Sequence, residues 1–285
     1  MKKIYLTILL ALFFVPFSFA FQVDSFNLSA GSSYEIKVNQ SQAINQMIMG
    51  TPNNINTENE SLELLEVLEI TPKGDYQMRL TMIEQKTVVS SPMMSMVEDS
   101  ENASVGSGLY PALKNTSYTF QMTNKGEIVT ISGLDEVKDL LRSELGSNVQ
   151  ASAQIEAIFN EELIRSTLEL RFSFFPENEA MKWSENKTMT MNALPIEMAT
   201  NYSYENNYTI KADSEITIDA TTVQMGTSVD IKLTGSQNAT YTLNEITGFP
   251  TTFISVNDIT GNASAAGMQI PMTIKTETET TFIKK

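Results

Sequence analysis

Two residue types are missing altogether: the 285-residue chain contains neither cysteine nor histidine. Without thiols no disulfide reinforces the fold, so stability has to come from a buried core. The same absences remove a thiol nucleophile, a Ser-His-Asp triad and any zinc site that uses imidazole or thiolate ligands. Positive charge is scarce too, with 19 Lys and Arg against 34 Asp and Glu. A chain with a net charge of −15 repels phosphate backbones, which excludes nucleic acid as an expected partner. No phosphate-binding glycine loop, dinucleotide fingerprint or EF-hand loop occurs. The expectation from these absences is a non-enzymatic protein with no cofactor, no catalytic residue and no metal site.

What is present begins with an apolar leader. Lys2 and Lys3 precede a run from Ile4 to Phe19 interrupted only by Thr7, Pro16 and Ser18, and Ser18-Phe19-Ala20 places small residues where a signal peptidase reads. The pattern predicts a signal peptide over residues 1–20 and a mature part over residues 21–285. Removing Lys2 and Lys3 leaves 17 basic against 34 acidic residues, a charge of −17. No cysteine stands at the junction, so the expected product is no lipoprotein. No other stretch is apolar for long enough to span a bilayer as a helix. The expected location is therefore periplasmic or extracellular, soluble after cleavage.

Hydrophobic periodicity predicts strands over residues 32–131, helices over 132–170 and strands over 171–285. Tyr34, Ile36 and Val38 alternate with polar neighbours, the period of a half-buried strand. Leu62 to Ile70 and Tyr76 to Val89 flank Thr71-Pro72-Lys73-Gly74-Asp75 as a hairpin. Residues 41–60, Asn-rich, read as a strand end and loop, and residues 90–110 as a long loop. Ser132-Gly133-Leu134-Asp135 matches a capping box, with Leu134, Val137, Leu141 and Leu145 at helical spacing and Gly146 as a stop. A second helix is expected from Val149 onward with Ile155, Ile158, Phe159 and Leu163 as its apolar stripe. Residues 202–211, 213–225, 227–234 and 239–246 read as successive strands. The resulting fold class is α+β: a large curved antiparallel sheet, half-barrel-like, with about two helices from the middle of the chain packed against it.

Three segments carry a resemblance. Asn124-Lys125-Gly126-Glu127-Ile128-Val129 runs into Ser132-Gly133-Leu134-Asp135; Phe174-Phe175-Pro176 is followed by Trp183; and Tyr241 to Ile246 ends in Thr247-Gly248-Phe249-Pro250. Together they resemble an uncharacterised family, a domain of unknown function, found in exported proteins of Bacteroidetes-type bacteria. The chain departs from that family's pattern in lacking a Gly-Asp before Trp183. The last segment is also similar to lipoprotein-carrier half-barrels, where a curved sheet wraps helices and holds an acyl chain; that step is an analogy of fold alone.

The resemblance and the composition together lead to the expectation of binding an apolar small molecule or an envelope protein partner. Met and aromatic side chains on paired strand faces form the candidate wall: Tyr76, Met78, Leu80 and Met82 on one strand, Tyr118, Phe120 and Met122 on another. Plain core packing is the competing account of the same residues. Asp213, Glu215 and Asp219 share a strand face, and Glu58, Glu60, Glu63, Glu66 and Glu69 form an acidic run; both read as solvated faces of an acidic protein. Ten N-x-S/T triplets, from Asn27 to Asn262, are expected by chance in so Asn-, Ser- and Thr-rich a chain. The alternatives are a hydrolase built on carboxylates or a Ser/Lys pair, and a structural or adhesive surface protein.

Overall fold

The computed structural model describes residues 22–92, 94–102, 108–146, 149–191, 194–224, 227–265 and 267–285; the expected signal peptide lies outside them. The chain runs through β1 (Ser33–Ile48), β2 (Thr51–Ile70), β3 (Tyr76–Ser90), β4 (Ser95–Asp99), α1 (Leu109–Leu113), β5 (Ser117–Met122) and β6 (Ile128–Ser132). Three helices follow, α2 (Leu134–Leu145), α3 (Val149–Ile158) and α4 (Glu161–Phe172). The second half is β7 (Lys182–Met191), β8 (Leu194–Asn206), β9 (Thr209–Gln224), β10 (Thr227–Leu243), β11 (Pro250–Ala265) and β12 (Met268–Lys284). All strands belong to one 12-stranded antiparallel sheet of order β6-β5-β3-β2-β1-β12-β11-β10-β9-β8-β7, with β4 paired to the far half of β3. The sheet curves without closing, and the helices occupy its inner face. The expected α+β half-barrel is what the chain forms.

The inner face is set by strand parity. Tyr34 and Ile36 on β1, Leu65 and Val67 on β2, Met78 and Leu80 on β3, Phe120 on β5, and Ile210 and Tyr241 on β9 and β10 all point inward. They bury Leu141 of α2, Ile155 of α3 and Leu168 and Phe172 of α4 against them. Each such side chain contributes about 1.5–3 kcal/mol on removal from water. At this end of the sheet, aromatic rings finish the seal. Phe26 meets Phe174 and Phe175 edge-on at 5.7 and 5.0 Å, and Phe172 stacks on Phe249 at 5.7 Å. The segment before β1 is laced across the same end, Phe26 N–H donating to Asn124 O at 2.7 Å and Asn27 N–H to Thr247 O at 2.8 Å.

Helix α4 bridges the two free edges of the sheet. Arg165 donates to Ile128 O on β6, and Thr190 on β7 donates to Glu162 at 2.7 Å. Arg171 reaches through to Glu63 on the inner face of β2 at 2.5 Å, and Tyr241 O–H donates to Leu170 O at 2.9 Å. Gly126, at φ 93°, lets the β5–β6 turn close on the helix end: a Cβ there would lie 1.9 Å from Phe172 O.

Several local expectations differ. The single long helix after Val149 is two, because Asn160 interrupts it and caps α4, its Oδ1 accepting from Glu162 and Leu163 N–H at 2.9 and 3.2 Å. Ile158 is consequently exposed, and Ile164 takes the buried position next to Leu163. The cap of α2 is Gly133 with no side-chain bond, in place of a Ser132 box. Residues 41–60 are strand on both sides of a turn at Met49-Gly50, and β4 lies within the expected loop at 90–110. The expected strands 227–234 and 239–246 are one strand, β10, and residues 202–211 contain the β8–β9 turn. Gly235 does not end a strand; it faces Ile259, and a Cβ would sit 2.2 Å from Asp258 O.

Candidate ligand trough

The seven residues of the expected wall lie on paired strands and share the inner face of the sheet. Tyr76 opposes Met122, Met78 opposes Phe120, and Leu80 opposes Tyr118 across β3 and β5. Met78, Phe120 and Met122 have no exposed surface, while Met82 and Tyr118 are half-buried at the margin. Phe120 stacks on Phe172 of α4 at 6.5 Å. The Tyr76 hydroxyl is engaged twice, donating to Phe26 O at 2.9 Å and accepting from Leu28 N–H at 3.2 Å. The structure thus brings these seven residues together beneath helix α4 and the N-terminal segment, as part of the helix-covered core.

The open apolar surface lies at the other end of the same inner face. Register places Ile44, Ile274, Ile259, Ile216 and Met198 in one row across β1, β12, β11, β9 and β8. Two residues further along the strands, Met272, Leu233, Ile218, Ile196 and Met189 form a second row. Ile270, Ala263 and Ile231 form a third. The latter rows line a pocket of about 390 Å³ in which Gln46 contributes the polar edge. The sheet's curvature holds these side chains close together, and Leu170 of α4 packs against their lower margin. Sequence reasoning passed over this second cluster, although alternation in Ile216 and Ile218, Ile231 and Leu233, and Ile270, Met272 and Ile274 marks it plainly.

Between the helix-covered core and the trough runs a belt of neutral polar residues. Gln40 and Gln42 donate to Thr278 and Thr276 at 3.3 Å each, and the Thr200 and Ser214 hydroxyls lie 2.8 Å apart. Asn257 belongs to the same belt, and its buried Oδ1 has no hydrogen-bond partner among the described residues. From β1 to β8 the floor of the trough is therefore polar but uncharged, and at the edge strand β7 it ends on Glu185, opposite Thr200.

Charged groups on the inner side lie at the edge strand β7 and beneath α4. Glu63 is buried and paired with Arg171, correcting the reading of the whole acidic run as one solvated face. At the seam between β6 and β7, Glu169 has its carboxyl raised above the usual range by burial and by Glu185 and Glu127, against the opposing pull of Lys187 and Arg165. A cleft of about 290 Å³ beside it is lined by Lys125, Glu127, Trp183 and Glu185. Asp213, Glu215 and Asp219 are exposed on the outer face, as expected, with Lys232 3.3 Å from Asp219. No group of three or more acidic side chains among the described residues is placed to hold a metal. No helix among them is long and apolar enough to cross a membrane.

Fold and trough define a curved, open antiparallel sheet whose inner face is filled by helices at one end and left apolar at the other. The chain belongs to a family of unknown function, DUF6263, whose model matches residues 73–250. Among curated proteins nothing matches it. Among solved structures, a lipovitellin structure described for its lipid–protein interactions is similar over 90% of this chain and 25% of its own, at 9% identity and a TM-score of 0.52. The chain thus spans a quarter of that protein, and at this identity the likeness is one of fold. The translocator domain of the autotransporter NalP from Neisseria meningitidis covers 90% of each chain at 6% identity, and an outer membrane channel from Pseudomonas putida F1 covers 92% and 98% at 9%. Their TM-scores of 0.25 and 0.21 are too low for a shared fold.

Proposed function

We propose that the protein is a non-enzymatic binder of an apolar ligand, exported by its N-terminal leader, and that the trough is its binding site. The observation that carries this reading is the trough itself. Three rows of aliphatic side chains face inward at an open end of the sheet, while the opposite end is sealed by aromatic packing. Cavities of this size and lining take up hydrocarbon, with polar groups at one margin to orient it. Here the margin is the Gln, Thr and Asn belt, whose amides and hydroxyls can donate hydrogen bonds to the polar end of an acyl chain. The fold likeness to lipovitellin supports the reading, since that structure is described for its lipid–protein interactions.

Binding of a long-chain polyene fatty acid, followed by its fluorescence, tests the site. The wild-type protein is expected to bind it saturably. Leu233→Lys, which places an amine among the rows, is expected to weaken binding by about tenfold or more. Ser228→Lys, on the outer face of the same strand, is expected to leave it unchanged. Equal affinities for all three proteins, each melting cooperatively, would overturn the assignment.

A further inference from the structure

Five hairpin turns lie at the open end of the trough: β1–β2, β3–β4, β7–β8, β9–β10 and β11–β12. In a chain of net charge −15, each of these hairpins is without a charged residue over a long window. The windows are residues 38–57, 87–97, 188–196, 220–229 and 259–274. Four of them hold a described methionine at or near the tip: Met49, Met94, Met191 and Met268. Among the described tips, Met49 is 81% exposed, Met94 55% and Met268 41%, and Ile48 is exposed beside them. The turns at the sealed end are the opposite in character. Lys73 and Asp75, Lys125 and Glu127, Glu205 and Lys211, and Glu245 stand in or beside them.

We infer that this charge-free rim is a docking surface for a neutral, zwitterionic lipid bilayer, laid against it so that the trough opens onto the hydrocarbon. The inference rests on the reading of the trough as an acyl site. Even the shorter windows keep three to five residues per strand free of charge, about 10–16 Å at the rise of a β-strand. That depth covers the roughly 5–10 Å by which interfacial segments enter the headgroup and acyl boundary. With no Lys or Arg in any window, attraction to anionic lipid plays no part, and the acidic body is held off an anionic surface by repulsion. Separate protruding tips of unbranched, polarisable methionine conform to a fluid surface, whereas a folded protein partner calls for a continuous complementary patch.

The absence of cysteine makes the test direct, because one introduced thiol labels one place. Met49→Cys, Met268→Cys and, at the sealed end, Lys73→Cys are each coupled to a polarity-sensitive dye and mixed with phosphatidylcholine vesicles. A blue shift at positions 49 and 268 with none at 73 is expected, smaller with vesicles containing anionic phosphatidylglycerol. Met49→Asp with Met94→Asp is expected to lower vesicle binding about tenfold. It should also slow uptake of the fatty acid from vesicles while leaving its affinity for free fatty acid unchanged. Wild-type protein that ignores vesicles, or a dye at position 73 that responds as strongly as one at 49, would overturn the inference. So would sedimentation showing that the rim is consumed in a dimer that the Asp variant dissociates. A shift at 49 and 268 in a protein that binds no fatty acid supports the docking surface and sinks the trough reading. Fatty-acid binding without any shift does the reverse.

Discussion

Glu63 sits in an acidic run whose even-numbered members, Glu58, Glu60 and Glu66, face outward from β2. Its odd number turns it inward, where Arg171 of α4 meets it in a nearly enclosed pair. Removing one partner strands a buried charge, so Glu63→Ala is expected to cost about 3 kcal/mol or more in urea unfolding. Glu63→Leu combined with Arg171→Met should recover most of that loss, since the pair then leaves no charge behind. The period of two was readable in the sequence, but it was overlooked because five glutamates at close spacing resemble one solvated strip. Glu169 makes a second case. Its raised pKa means that the folded protein holds its proton more tightly than the unfolded chain does. Its neutral form therefore favours folding below the ordinary value of 4.5, and that contribution is lost as pH rises through the folded value. Glu169→Gln should raise the melting temperature at pH 7 and lose that advantage below about pH 4.5. Equal melting temperatures for the two proteins across that range would show that the carboxyl is fully solvated. Burial similarly lifts the Tyr204 hydroxyl to about 12, and it donates to Val23 O at 2.6 Å, so it stays protonated through the working range.

Helix α4 ties β6, β7, β2 and β10 together through Arg165, Thr190, Arg171 and Leu170. Its start depends on Asn160, with Glu161 and Glu162 in the first turn and Arg171 in the last matching the helix dipole. Asn160→Ala is expected to cost about 1 kcal/mol by chemical denaturation. If α4 holds the two edges as described, amide exchange should quicken in β6 and β7 while β1 and β12 stay protected. Asn160 was a legible signal, but an unbroken apolar stripe through Ile155, Ile158, Phe159 and Leu163 argued for one helix. Long strands were the harder elements to read. In β1 and β2 the half nearest the turn is rich in Asn, Gln, Ser and Thr, with Ile44 and Ile55 as scattered apolar residues, so no alternation is strong enough to separate strand from loop. In β10 a glycine that ordinarily punctuates a strand is retained because Ile259 of the adjoining strand occupies the space of its Cβ. Gly235→Val is expected to unfold the protein at ordinary temperature, where a valine at neighbouring, outward-facing Thr234 would be tolerated.

At the scale of the molecule, the half-barrel class followed from strand–helix–strand order and the hairpin turns. The position of the open surface did not. The candidate wall at Tyr76, Met78, Leu80, Met82, Tyr118, Phe120 and Met122 had the right composition, but helices returning over it are a tertiary event that no local pattern announces. The uncovered end is distinguished only when all hairpins are aligned, because its marks, neutral tips and aliphatic rows, are spread over strands far apart in the chain. That same alignment fixes the order in which the molecule can be made. β1 and β12 are neighbours at the centre of the sheet, Tyr34 opposite Lys284 and Gln46 opposite Met272. Until the final strand is available, the two halves of the sheet have no contact across their middle. Deleting residues 268–285 should therefore leave a chain with no cooperative melting transition by circular dichroism, and a sharp transition in that variant would contradict this. Pairings so distant in sequence also close slowly, in milliseconds to seconds. On the export route proposed above, a polypeptide threaded through a membrane with its N-terminus leading is then expected to stay unfolded, and passable, until its last strand has crossed.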